Sequence, residues 1–218
     1  MMDFFIPNPF QRDFFEAGLM YRYRFLSGGT QSGKSLCAGV EFTFHMRGEY
    51  PKWWKGRRFT EPITALVVGI DKEQSRGAGQ RILLGEGKEN LGTGTIPKDW
   101  IKEVTWDKDE NSCVDFLVVP HVSGGLSYAY FVTQGMGHKK FQGRPIHLIW
   151  GDESITELNF LLQFLSRITS TDGMIMLTAC PEEMGYTEIY QYFDPANPER
   201  PPQAWYREAS LLEVTHLS

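Results

Sequence analysis

Cysteine is scarce in this chain: Cys37, Cys113 and Cys180 are all there is in 218 residues. Being few, far apart and odd in number, they exclude a disulfide framework or a zinc knuckle and point to reduced thiols. No run of about 18 apolar residues occurs, so no segment reads as a membrane span. The N-terminal stretch "MMDFFIPNPFQRDFF" lacks a basic leader and a long apolar core, so it does not read as a secretory signal. A basic excess is also missing. The net charge of −5 argues against a passive DNA-coating protein, though not against a machine that touches nucleic acid through a few local groups. Repeats and low-complexity tracts are absent, and His45, His121, His138 and His147 show no metal-ligand spacing. These exclusions leave a chain with an ordinary 41% hydrophobic content, long enough for one large α/β domain.

What is present is punctuated by glycine. The octet Gly28-Gly29-Thr30-Gln31-Ser32-Gly33-Lys34-Ser35 is a full match to G-x-x-x-x-G-K-[ST]. In that pattern backbone N–H groups cradle phosphates, the lysine reaches the outer phosphates and the hydroxyl ligates magnesium. Context matters more than the match. "FLSGG" reads as a buried strand entering the loop, and "KSLCAGVEFTFHMRG" as the helix leaving it. A strand-to-helix turn aims N–H groups and the helix dipole at an anion, so ATP with Mg²⁺ is the expected ligand.

Further buried strands are expected at "PITALVVGID", "PIHLIWGDE" and "GMIMLTACP", and a hairpin at "CVDFLVV" and "SYAYFVTQ". Residues 85–112 read as a surface excursion with short helices. "ELNFLLQFLSRI" and "TEIYQYF" read as helices, "AWYREASLLEV" as an edge strand, and the proline-rich "DPANPERPPQ" before it as an exposed loop. Strand, glycine loop, helix and further strands predict an α/β fold of the P-loop NTPase, ASCE/RecA-like type, with a mainly parallel central sheet and helices on both faces. Ligands in such sheets bind beyond the carboxyl ends of the strands. "HLIWGDE" ends there in Asp152, expected to hold hydrated magnesium with Ser35, and Glu153, expected to orient or deprotonate water. A water-activating glutamate favours hydrolysis over phosphoryl transfer to a metabolite. Thr178 closes the following strand, where a hydroxyl can sense the outer phosphate, link the loop to a neighbouring element, or simply bond backbone.

Taken in order, Gln11 in "NPFQRDFF", "GGTQSGKS", "HMRGEYPKWW", "KKFQGR", "IHLIWGDE" and "DGMIMLTACPEEMGYTEIY" resemble the N-terminal ATPase domain of bacteriophage large terminase subunits, over about residues 5 to 215. The resemblance implies an ATP-hydrolysing motor that drives double-stranded DNA into a procapsid. Its implied partners are a homo-oligomeric ring of subunits, a portal protein and a small terminase subunit, at the procapsid portal in the host cytoplasm and with no membrane. It also implies that Gln11 contacts adenine and that Thr178 belongs to the motif coupling hydrolysis to DNA movement. Many terminases carry an arginine inside the phosphate loop, whereas Thr30, Gln31 and Ser32 stand here. A charge-stabilising arginine is therefore expected from elsewhere, in cis or from a neighbour. Arg144, Arg167 and Arg76 are the candidates, with Lys139 and Lys140 as further possibilities.

The chain after Pro181 is too short for the nuclease domain such subunits usually carry. ATPase activity without DNA cutting is therefore expected, from a single domain over residues 1–218 in which 205–218 begins a linker. "KWWKGRRF" interleaves basic residues with aromatics, either as a nucleic-acid groove or as tryptophans packed under a loop with solvated charges. Three alternatives share parts of the pattern: one lobe of a helicase-like translocase, a small-molecule kinase, and a nucleotide-binding assembly protein without turnover.

Overall fold

Short runs such as Phe25-Leu26, Leu66-Val67-Val68 and Ile175-Met176-Leu177 are buried at every position. Strands of that kind need cover on both faces. A computed structural model describes residues 5–71, 79–108, 113–133, 144–180 and 188–214 and supplies that cover. Six parallel strands, β1 (Tyr23–Gly28), β2 (Thr64–Gly69), β5 (Leu126–Thr133), β6 (Leu148–Asp152), β7 (Met174–Ala179) and β8 (Ala204–Ala209), form the body of the sheet. At one edge β4 (Val114–Pro120) and β3 (Glu103–Trp106) add on antiparallel. The full order is β3-β4-β5-β2-β6-β7-β1-β8.

Alternation along each strand sends side chains to two separate cores. Leu26, Val67, Leu148, Trp150, Met174 and Met176 face one way. There they meet α1 (Pro9–Ala17), α2 (Lys34–Arg47) and α3 (Arg81–Leu84). Phe25, Leu66, Ile149, Ile175 and Leu177 face the other way, beneath α4 (Leu158–Ile168) and α5 (Glu188–Phe193). The hairpin and the buried strands stand where the sequence put them. Two expectations change. The excursion at 85–112 contributes the edge strand β3 and the fully buried Ile96, so it belongs partly to the sheet and core. Residue 205 lies inside β8, paired along its length with β1, so the expected linker start is sheet.

The aromatics of "KWWKGRRF" are core rather than groove. Trp54 is 3% exposed against Phe15 and Phe44, and Trp53 packs on Phe5, Phe15 and Phe44. Trp53 is only half-buried and lines a cavity with Phe5, Arg12 and Lys55. Among the described residues no helix is long and apolar enough to cross a membrane.

Beneath α2 lies a charge cluster with no solvent access. Arg24 on β1 donates to both Glu41 oxygens, at 2.7 and 3.0 Å, and to the Phe14 carbonyl of α1 at 2.6 Å. His45 Nε2 is 3.1 Å from Glu41 Oε1, and its Nδ1 is 2.9 Å from the Tyr50 hydroxyl. Burial works to raise the Glu41 carboxyl, but Arg24 and the bond from His45 outweigh it and hold it ionised. Burial lowers His45 and keeps it neutral, against the pull of Glu41.

Removing one partner of such a pair leaves an uncompensated buried charge, so Glu41→Gln is expected to lose about 3–5 kcal/mol of stability in urea unfolding. Acid should weaken the fold as well. An unfolded histidine takes up its proton near pH 6.5, whereas folded His45 resists it, so stability falls as pH drops below about 6.5. His45→Gln should reduce the slope of unfolding free energy between about pH 7 and 5, leaving the part due to His121 and His147, which burial also lowers.

Candidate active site

The site gathers at the carboxyl ends of β1, β6 and β7. β1 ends at Gly28, the loop crosses 29–33, and α2 opens at Lys34. Two loop residues adopt left-handed backbone, Gln31 at φ 64° and Gly33 at φ 88°. A Cβ on Gly33 would come to 3.3 Å from Gln11 Nε2, which donates to the Gly33 carbonyl at 3.1 Å. Gln11 Oε1 in turn accepts the Asn8 N–H at 2.9 Å, capping the start of α1. Gln11 is 2% exposed, and its visible work is to brace the loop. An adenine contact would have to use its second amide proton and remaining lone pair. The Ser32 hydroxyl is buried with no partner among the described residues. Such an orphan inside a glycine loop fits a ligand acceptor, as do the first N–H groups of α2, which no helical turn can satisfy.

Asp152 closes β6 and is 8% exposed. Its Oδ1 accepts from the Ser35 hydroxyl at 2.7 Å and from the Thr178 hydroxyl at 2.5 Å. Trp150 Nε1–H donates to Thr178 Oγ1 at 3.1 Å. Burial raises the Asp152 carboxyl, the bonds from Thr178 and Ser35 counter it, Glu153 adds to the rise and Lys34 opposes it. A desolvated carboxylate of this kind gains from any cation brought to it. Glu153 turns the chain at φ 53°, its N–H bonded to the Thr178 carbonyl at 2.7 Å. A left-handed glutamate costs on the order of 1 kcal/mol or more. The turn throws its side chain towards the loop, 3.3 Å from the ammonium of Lys34, which is 5% exposed.

The donor set suits magnesium. Ser35 and Asp152 are hard oxygen ligands, and because Ser35 spends its proton on Asp152 its lone pairs remain for a cation. Among the described residues no three His, Cys, Asp or Glu side chains gather to hold a metal alone. Phosphate oxygens would have to complete the shell.

The arginine candidates do not join this group. Arg144 precedes the amino end of β6, where its guanidinium bonds the Tyr130 hydroxyl and lies 5.4 Å over that ring. Glu153 follows the other end of that strand, so Arg144 as a charge-stabilising residue remains a proposal, in cis or from a neighbour. Arg167 shares that end: the next residue, Ile168, bonds Arg22, just before β1. Arg76, Lys139, Lys140, His138 and the "KKFQG" stretch lie outside the described residues. All three cysteines are buried, Cys180 at 2% exposure. Two contributors escaped the sequence reading. The Asn8-x-x-Gln11 spacing with Pro9 at the first helical position is a capping signature that would have revealed α1 and the brace. Nothing in "HLIWGDE" announces that the tryptophan serves Thr178.

Residues 25–191 match the family model described as "Terminase large subunit, T4likevirus-type, N-terminal". This chain belongs to that family. It is 37% identical over 210 residues to the terminase large subunit of Salmonella phage P22, covering 87% of the chain but 41% of that protein. It thus spans about two-fifths of the curated relative it matches, and corresponds to the N-terminal ATPase-domain part of phage large terminases. Two solved structures share the fold. A point variant of the Thermus phage P74-26 large terminase ATPase domain has a TM-score of 0.60 at 17% identity, over 96% of this chain and 84% of that one. The large terminase of a thermophilic bacteriophage, solved in complex with ADP, has a TM-score of 0.60 at 13% identity, over 97% of this chain and 48% of that one.

Replacing Gly33 tests the loop directly. An alanine forced to the left-handed backbone loses about 1–2 kcal/mol, and its Cβ presses on Gln11. Gly33→Ala should lower the thermal midpoint and weaken nucleotide binding, whereas Gly29→Ala, whose Cβ meets nothing within 4 Å, should leave the midpoint nearly unchanged.

Proposed function

We propose that this terminase chain is an ASCE-type P-loop ATPase that acts as the motor moving double-stranded DNA into a procapsid. The observation that carries the reading is the meeting of Ser35, Asp152, Thr178 and the Lys34–Glu153 pair at one end of the sheet. The strand order supports it, since β7 stands between the loop strand β1 and the acidic strand β6. The terminase of the thermophilic bacteriophage, whose fold it shares, was solved with ADP.

ATP would rest on residues Gly28 to Ser35, with phosphate oxygens facing the orphan Ser32 hydroxyl and backbone N–H groups of the loop, other than that of Ser32, which bonds the Gly29 carbonyl. Magnesium, held by Ser35 and Asp152, would supply neutralisation of the charge developing between the outer phosphates. Lys34 pairs with Glu153 here, so an arriving nucleotide competes for the ammonium and frees the carboxylate. Glu153 then accepts a proton from water as its oxygen bonds the terminal phosphorus, and the bond to the bridging oxygen breaks to leave ADP and phosphate. Arg144 and Arg167 lie at the amino end of the sheet, so supply of one of them to a neighbouring subunit's nucleotide would fit a ring of copies around DNA. Portal protein and small subunit as partners, and the procapsid in the host cytoplasm as the place of work, follow from the same reading. The described residues are assigned no DNA-cutting role.

Steady-state ATP hydrolysis over a wide range of protein concentration tests this. Lys34→Ala and Glu153→Ala should each lower turnover at least about 100-fold, the size of a lost general base. Wild-type turnover should rise more than proportionally with protein if the arginine comes from a neighbour. Full activity in Glu153→Ala would end the mechanism.

A further inference from the structure

The bond between Trp150 and Thr178 has a direction that chemistry alone dictates. An indole nitrogen only donates, so Thr178 Oγ1 must be the acceptor. The hydroxyl has one proton to give, and the oxygen within reach is Asp152 Oδ1 at 2.5 Å. Ser35 brings a second proton to that same oxygen. The result is a polarised chain, Trp150 to Thr178 to Asp152, met by Ser35 from the other side.

The framework leaves the indole no alternative position. Trp150, Asp152 and Thr178 share one face of the sheet, with Trp150 opposite Met176 and Asp152 opposite Thr178 in register. Trp150 is fully buried under α2, its ring centroid 6.1 Å from that of Phe42. Gly39, in mid-helix, makes room for Ile82 beside the ring: a Cβ there would lie 2.4 Å from Ile82 and in ordinary contact, 3.5 Å, with the indole. A glycine in mid-helix lowers helix stability by about 1 kcal/mol relative to alanine, a loss accepted here for close packing.

We infer that Trp150 is a positioning residue that holds the Thr178 hydroxyl proton on Asp152, so that Thr178 answers to the state of the metal-binding carboxylate and not directly to the outer phosphate. The inference rests on the ATPase reading for its consequence, but the contact exists without it. A free threonine hydroxyl could swing its proton to a phosphate oxygen. With the indole occupying one lone pair, it would have to break the Asp152 bond to do so. Displacement of Asp152 is thereby passed through Thr178 to the indole, and from there to α2 and α3.

The test uses Trp150→Phe, Thr178→Val and the double variant, together with a benzothiophene side chain at position 150 that keeps the ring shape but has sulfur in place of N–H. In isotope-labelled, nucleotide-free protein Thr178→Val should shift the resonance of the Trp150 indole proton, whose exchange burial already slows. An indole signal indifferent to Thr178→Val overturns the inference, whether or not the chain hydrolyses ATP. In hydrolysis, Trp150→Phe and the benzothiophene variant should lower kcat about tenfold with KM for ATP within about twofold, and raise the magnesium concentration for half-maximal rate. The double variant should be no worse than Thr178→Val alone, because Trp150 acts through that hydroxyl. Multiplying losses, or a benzothiophene variant with wild-type kcat and magnesium dependence, overturns it. If the wild type shows no turnover while the indole responds to Thr178→Val, the positioning contact stands and the ATPase reading falls.

Discussion

One carboxylate oxygen, Oδ1 of Asp152, accepts the protons of Ser35 and Thr178 and so joins α2, β6 and β7 at a single point. Such a junction is possible because the strands run parallel and end together, leaving their last residues facing one crevice. Burial makes the charge expensive, and two donated hydrogen bonds reduce that expense without cancelling it. A carboxylate left in this condition favours a cation, and the donors that steady it leave the serine's lone pairs available. The same geometry that stabilises the free site therefore suits the metal-bound nucleotide proposed for it.

The phosphate loop depends on a second constraint, remote from the chemistry. Left-handed backbone is free to Gly33 but strained at Gln31, where it survives only if the flanking elements cannot relax. Arg24 and Glu41 clamp β1 to α2, and Arg24 also grips the Phe14 carbonyl of α1. At its other end α1 reaches the loop through Gln11 and the Gly33 carbonyl. α1 is thus tied both to the loop and to the β1–α2 pair. A buried ion pair is weak evidence for stability, since apolar replacements often serve as well. Its value here lies in direction, because a bidentate guanidinium fixes the angle between strand and helix where packed methyl groups would let them slide.

Separation between the two ends of the sheet has a functional meaning. Lys34, Ser35, Asp152, Glu153 and Thr178 occupy the carboxyl end, whereas Arg144, Arg22 and Arg57 lie at the amino end, the last two paired with Asp172. In this structure the Arg144 guanidinium is engaged by Tyr130, and Glu153 follows the other end of β6. Under the proposed function, an arginine from that end would have to reach the nucleotide of another copy.

Much of this was legible in the chain. The octet from Gly28 to Ser35, its place between an apolar run and a helical run, and the acids at the end of "HLIWG" are local patterns, and local patterns survive folding because backbone chemistry enforces them. Periodicity likewise marked the buried strands, whose apolar runs need cover on both faces. Local sequence was silent on whatever depends on which strands become neighbours. Insertion of β7 between β1 and β6 is what brings Thr178 to Asp152, and nothing in "MIMLTA" states it. Arg24 and Glu41, separated by the whole loop, carry no local sign that they will pair when β1 and α2 close on one another. The tryptophans of "KWWKGRRF" and the tryptophan of "HLIWGDE" are chemically alike. Only the tertiary structure makes the first pair structural filling and the last a donor to Thr178, because a side chain's role is set by the atoms that packing places against it.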